Sequence, residues 1–180
     1  YVIDRTNGEL LSAEKYVQAT WASHIDLETG RPVKTELADY DEAEKLIFPG
    51  ALGGHNWMPM SYNPKTGLVY IPAQELYMPM KKDDDYEYDA KGWNTAGDLT
   101  VMAPPKNLLQ LMLLARSIRG RLSAWDPVEQ KEVWKQYLTL PWNGGILSTD
   151  GNLVFQGTSD GELVAYDAKS GEKKWSEDLK

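Results

Sequence analysis

One repeat constrains this chain more than any other feature. Ala124-Trp-Asp126-Pro-Val-Glu-Gln130-Lys-Glu-Val-Trp134 returns as Ala165-Tyr-Asp167-Ala-Lys-Ser-Gly171-Glu-Lys-Lys-Trp175, with alanine, aspartate and tryptophan each displaced by 41 positions (124 to 165, 126 to 167, 134 to 175). That period is the length of a propeller blade, a sheet of four short antiparallel strands. Asp126 and Asp167 suit tight turns, because a short carboxylate accepts backbone N–H bonds two residues on, and Gly171 supplies the positive φ that ends such a turn. Trp134 and Trp175 then fall on an outer strand, where a large ring can wedge between neighbouring blades.

Weaker echoes of the turn occur at Asp4-Arg-Thr-Asn-Gly8, Asp26-Leu-Glu-Thr-Gly30 and Asn63-Pro-Lys-Thr-Gly67, each flanked by residues suited to half-buried strands. From Asn152 onward the pattern is a plain meander: Leu-Val-Phe-Gln-Gly157, a turn at Ser159-Asp-Gly161, Glu-Leu-Val-Ala-Tyr166, the aspartate turn, then Lys-Lys-Trp175. The expected fold is all-β, a sector of about two to three blades from a larger propeller, with residues 1–180 forming one partial domain and no second one. Residues 31–52 and 74–107, rich in charge, proline, glycine and methionine, read as long loops over one face. Leu108 to Ile118 has the apolar density of a helix or a buried strand, and so short a run does not separate the two. The chain opens on a strand-like Tyr1-Val-Ile and stops shortly after Trp175, which predicts a fragment of a longer protein.

Composition removes several functions. A formal charge of −8 gives no basic face for phosphates, so nucleic acid is not an expected partner. With no cysteine, disulfides, thiolate metal sites and covalently attached haem are excluded within these residues. His24 and His55 lack the companions of a zinc site and read as structural. The run Lys81-Lys-Asp83-Asp-Asp85-Tyr-Glu87-Tyr-Asp89 invites a calcium loop, but counted from Asp83 the glycine and glutamate an EF-hand requires are replaced by Tyr88 and Asn94. It reads as a solvated loop. Met58, Met60, Met78 and Met80 suit irregular gaps beneath loops.

Gly53-Gly-His-Asn-Trp57 is harder to dismiss. Two glycines, an amide and an indole stand just before the turn-bearing stretch Tyr62 to Ile71, and a bare hairpin needs none of them. Trp142-Asn-Gly-Gly145 has the same character ahead of the last meander.

At these residues the chain resembles the eight-bladed quinoprotein alcohol dehydrogenases, which use pyrroloquinoline quinone (PQQ) and calcium. The resemblance rests on the tryptophan-docking repeat and on three longer stretches: Tyr1-Val-Ile-Asp-Arg-Thr-Asn-Gly8, Pro49-Gly-Ala-Leu-Gly-Gly-His-Asn-Trp57, and Pro141-Trp-Asn-Gly-Gly-Ile-Leu-Ser-Thr149 with Gly151-Asn-Leu-Val-Phe-Gln-Gly157. It implies the later part of such a propeller, with Asn56 and Trp57 matching an asparagine-tryptophan pair that contacts the quinone. Trp142 and Asn143 read equally as cofactor chamber and as packing between blades. By the same resemblance the catalytic aspartate, the calcium ligands, a vicinal cysteine pair and a basic residue beside the quinone precede the position of Tyr1. The whole enzyme would oxidise a primary alcohol in the periplasm and pass electrons to a cytochrome c or a quinone. Two rivals stand: a non-enzymatic propeller scaffold of the outer-membrane assembly type, which needs only the blade repeat, and a quinoprotein for a sugar or an aldehyde.

Overall fold

In the computed structural model, residues 1–179 are described and strands dominate the regular structure. Hairpins come first, β1 (Val2–Ile3) with β2 (Leu10–Ser12) and β3 (Ala22–Ile25) with β4 (Pro32–Lys34). Then follow β5 (Lys45–Ile47), β6 (Ser61–Asn63), β7 (Leu68–Glu75) and β8 (Met78–Met80), the helix α1 (Leu108–Ser117), β9 (Arg119–Asp126) and β10 (Lys131–Leu138). A last run holds β11 (Ile146–Ser148), β12 (Leu153–Gly157), β13 (Glu162–Asp167) and β14 (Lys173–Asp178).

Two four-stranded antiparallel sheets emerge, ordered β6-β7-β9-β10 and β11-β12-β13-β14 from inner to outer edge. These are two propeller blades, and the hairpins before them form separate two-stranded sheets. The chain is a sector of an all-β propeller, as its repeat predicts.

The turns carry the local code. Asp126 Oδ1 accepts from the amides of Val128 and Glu129 at 2.8 and 2.9 Å, and Asp167 Oδ1 accepts from Lys169 and Ser170 at 2.9 and 3.0 Å. Asp26 makes the same pair with Glu28 and Thr29, and Asn63 Oδ1 accepts from Lys65. The amides of Gly8, Gly30, Gly67 and Gly171 each donate back to the carbonyl of the residue that opens their turn, at 2.8 to 2.9 Å. Gly171 needs its freedom twice, for a φ of +73° and because a Cβ there would stand 2.5 Å from the Trp134 ring. Those backbone bonds favour the charged carboxylate, so Asp126 and Asp167 are held below the ordinary value of 3.8.

That ring joins the blades. Trp134 leaves β10 of the first blade, lies over Gly171 and donates from Nε1 to the Ala168 carbonyl at 3.0 Å. Tyr70 Oη donates to the same carbonyl at 2.9 Å. Alternation in β7 sends Leu68 and Tyr70 into a core shared with Leu122, Ala124, Val154, Val164 and Tyr166, between the two sheets. Ile71 and Ala73 face the other way, onto Val17, between β2 and β3, and Phe48, just after β5. β7 is therefore buried on both faces. Arg121, 7% exposed, ties that second face together with ion pairs to Glu75 at 3.0 Å and Glu132 at 3.4 Å and a bond to the Tyr16 carbonyl.

The long excursions carry more order than their composition predicts. β5 and β8, one from each excursion, pair with each other, and short 3-10 turns at Glu36–Ala38 and Leu99–Met102 are capped by Thr35 and Asp98. The loop expected from residue 74 begins later, since Gln74 and Glu75 still belong to β7. The open question at 108–118 resolves to a helix, capped by the Asn107 carboxamide on the Leu109 and Gln110 amides, and none of its residues is buried. Residues 84–94 are exposed, and Asp83 and Asp89 spend their carboxylates on nearby backbone amides.

Candidate functional site

β6 is short. It covers only Leu68 to Tyr70 of its partner β7, so the inner edge of β7 beyond Tyr70 lacks a strand neighbour. The Gly53–Trp57 loop takes that place. The Gln74 amide donates to the Gly54 carbonyl at 2.9 Å, and His55 Nδ1 lies 3.3 Å from the carbonyl of Pro72, a residue with no N–H of its own to offer. Gly53 adopts φ +76°, and Gly54 passes so close to Val17 that a side chain there would overlap it. Glycines are thus required for the loop to lie against the strand.

Asn56 and Trp57 stand at the end of this loop. Asn56 Nδ2 donates to the Leu52 carbonyl at 3.0 Å, and Asn56 Oδ1 accepts from the Trp57 amide at 2.9 Å. One N–H and one lone pair of the carboxamide stay available. The Trp57 ring is 74% exposed, while its neighbour Met58 is only 2% exposed and anchors the chain behind it. The indole is bare in this segment, beside a well-buried residue.

The second loop meets the first. The Ile146 amide donates to the Pro59 carbonyl at 2.9 Å, and a Cβ on Gly145 would stand 2.5 Å from Pro59. Beyond that seam the innermost strands stay joined, with Ser61 Oγ 2.6 Å from Ser148 Oγ and Asn63 Nδ2 donating to the Thr149 carbonyl at 3.2 Å. Both loops therefore enter the inner strands of adjacent blades at the same end. Trp142 is partly exposed there. Asn143 is buried at 6% exposure, donating to the Leu140 carbonyl at 2.7 Å and accepting from the Ser159 amide at 3.1 Å and its hydroxyl at 3.2 Å.

Two buried glutamines lie beneath these loops. Gln74 Nε2 donates to the carbonyls of Leu52 at 2.9 Å and Gly53 at 3.1 Å, and Gln156 Nε2 donates to the Gly144 carbonyl at 2.9 Å. Sequence reasoning passed over both. The available signal was a lone amide in an otherwise apolar strand, Gln74 after Leu68 to Ala73 and Gln156 after Leu153 to Phe155.

The wall suits a flat, polar cofactor: a bare aromatic plane, an amide with spare hydrogen-bonding capacity and closely approaching backbone. It does not suit a cation. Among the described residues no three His, Asp or Glu side chains come together to hold a metal ion.

Comparison with known proteins sharpens this picture. The chain is 45% identical over 175 residues to quinohemoprotein alcohol dehydrogenase ADH IIB of Pseudomonas putida, covering 97% of this chain and 24% of that protein. It is 41% identical over 185 residues to the 1-butanol dehydrogenase (cytochrome c) of Thauera butanivorans, covering 98% of this chain and 25% of that one. The solved structure of quinohemoprotein alcohol dehydrogenase ADHIIG from Pseudomonas putida HK5 superposes over 99% of this chain and 27% of its own, with a TM-score of 0.89 and 40% identity.

This segment is homologous to the quinoprotein alcohol dehydrogenases.

It spans about a quarter of the length of the relatives it matches. A family model described as outer membrane protein assembly factor BamB also matches, over residues 104–180. That stretch holds the two tryptophan-bearing turns and leaves out Gly53–Trp57. The quinoprotein alcohol dehydrogenases are similar across both loops, and the shorter match spans the Trp142 loop and the blade repeat.

Proposed function

We propose that this segment forms part of the PQQ-binding wall in a quinoprotein alcohol dehydrogenase, an enzyme that oxidises primary alcohols to aldehydes. The observation that carries the reading is the convergence of the Asn56–Trp57 loop and the Trp142 loop at the inner ends of adjacent blades, with the Trp57 ring bare. In this reading the indole supplies a stacking surface, and the free N–H of Asn56 donates to an oxygen at the quinone edge. Trp142 stands on the adjoining loop. Asn143 acts from beneath, its carboxamide holding the Trp142 loop to Leu140 and Ser159.

When bound, PQQ supplies the redox chemistry by taking up the hydride equivalent of the alcohol, and the protein's part is to bind and orient it. Among the described residues no carboxylate cage for calcium comes together. Its ligands, and the base that accepts the alcohol proton, belong to blades outside this segment. The same reading includes residues 1–180 as one part of an eight-bladed domain, a periplasmic location, and an electron acceptor that is a cytochrome c or a quinone. A relative whose name carries cytochrome c supports the first of these acceptors.

The test uses the complete protein stripped of cofactor and titrated with PQQ. Saturable binding that is lost in the Asn56→Ala, Trp57→Ala double variant is the expected result. Binding that survives both substitutions would remove this wall from the cofactor site. No binding by the wild type would favour the assembly-scaffold reading.

A further inference from the structure

The loop that presents Asn56 and Trp57 is held mainly by one side chain. Gln74 is fully buried, and three successive carbonyls of the loop point at it: Leu52 and Gly53 accept from its Nε2, and Gly54 accepts from its backbone amide. Since two carbonyls face the carboxamide, only its NH2 end can occupy that side. The Leu52 carbonyl accepts a second bond, from Asn56 Nδ2, and Asn56 Oδ1 in turn accepts from the Trp57 amide. A short relay thus runs from Gln74 through the Leu52 carbonyl and Asn56 to the Trp57 backbone.

This arrangement has a cost. Gln74 Oε1 is buried with no hydrogen-bond partner among the described residues. A methionine or leucine would fill the same space without burying a bare oxygen. The amide is retained where only its donors are used, and those donors serve only the loop. Gln156 repeats the device under the second loop, with Nε2 on the Gly144 carbonyl and an Oε1 equally without a partner.

We propose that Gln74 is a positioning residue of the quinone wall, clamping the Leu52 and Gly53 carbonyls so that the Asn56 amide and Trp57 ring are set before the cofactor arrives. It rests on the cofactor-wall reading above. Preorganisation of this kind improves affinity because the loop does not have to be ordered during binding.

The test uses the complete, cofactor-free protein carrying Gln74→Met, which keeps the length and removes the amide, and Gln74→Glu. In Gln74→Met, amide exchange at residues 53–57 should quicken about tenfold, the effect of losing roughly one net hydrogen bond, while β9 and β10 exchange as in wild type. PQQ affinity should fall by a similar factor of about ten. Gln74→Glu should bind PQQ better as the pH is lowered and its carboxyl gains the proton it can donate, a dependence absent from Gln74→Met. Unchanged exchange at 53–57, or an unchanged PQQ affinity in Gln74→Met, would overturn the proposal. If Gln74→Met does not fold, the acid recovery of Gln74→Glu decides instead, and no recovery counts against the clamp. If the wild type binds no PQQ, the cofactor reading falls, and the exchange rates alone decide whether Gln74 holds the loop.

Discussion

Trp57 and Trp134 carry the same side chain into opposite situations. Trp134 is 9% exposed with its N–H bonded, and Trp57 is 74% exposed. Truncating Trp134 to alanine should therefore cost about 3–5 kcal/mol, the usual result for a buried aromatic, read as a lowered melting temperature of the complete protein. Truncating Trp57 should leave stability within about 0.5 kcal/mol, as for surface changes generally, while PQQ binding is lost. The 41-residue repeat is enough to assign Trp134. No pattern in the sequence distinguishes a presented indole from a packed one, and resemblance had to supply that for Trp57. Asn143 was equally illegible, because a buried carboxamide and a ligand-facing one are spelled by the same letter and differ only in Leu140 and Ser159, the partners folding brings to it.

At the scale of elements, the turn and strand pattern is written locally and was read correctly; what escaped is set by distant partners. β5 and β8 lie more than 30 positions apart, and neither is a strand without the other. β7 runs on to Glu75 because β9 pairs with it as far as Arg119, while the Gly53–Gly54 loop lies on its other edge, which no local pattern announces. The blade junction offers a direct comparison. Gly67→Ala meets only the penalty of a positive φ, since nothing stands within 4 Å, whereas Gly171→Ala also drives a methyl into Trp134. Chemical denaturation should find Gly67→Ala about 1 kcal/mol destabilising, and Gly171→Ala worse by a further ~1–3 kcal/mol. Equal losses would mean that the ring does not rest on the turn in solution. Helix α1 exposes Leu108, Leu109, Leu111, Met112 and Leu113. The isolated segment should self-associate through such a patch, and Leu109→Glu with Leu113→Glu should shift it toward monomer in light scattering.

Across the whole molecule, one titration recurs. Asp4, Asp26, Asp126 and Asp167 are all held below the ordinary 3.8, each mainly by hydrogen bonds from the two or three residues that follow. Near that pH the unfolded chain binds more protons than the folded one, so stability rises with pH. The contribution is complete above about 3.8 and is lost as pH falls through the lower folded values. Melting temperature should drop as the pH is taken from about 5 toward 3, and Asp167→Asn, which can still accept the turn bonds, should flatten part of that slope. The isolated segment should show no alcohol turnover at any pH, since no metal cage forms among its described residues; measurable turnover would require a different site. The all-β class followed from the period, because neighbour-only packing writes the same solution at each repeat.

The indole of Trp134 finds its acceptor at Ala168, 34 residues downstream. A ribosome adding 5–20 residues per second delivers the ring roughly 2–7 s before its socket. During that interval the newest blade shows an unsheltered apolar face, and each blade is finished by its successor rather than by itself. The ring grows like a row of clasps fastened in one direction, so a pause in translation just after Trp134 should be more hazardous to the nascent chain than one just after Gly171.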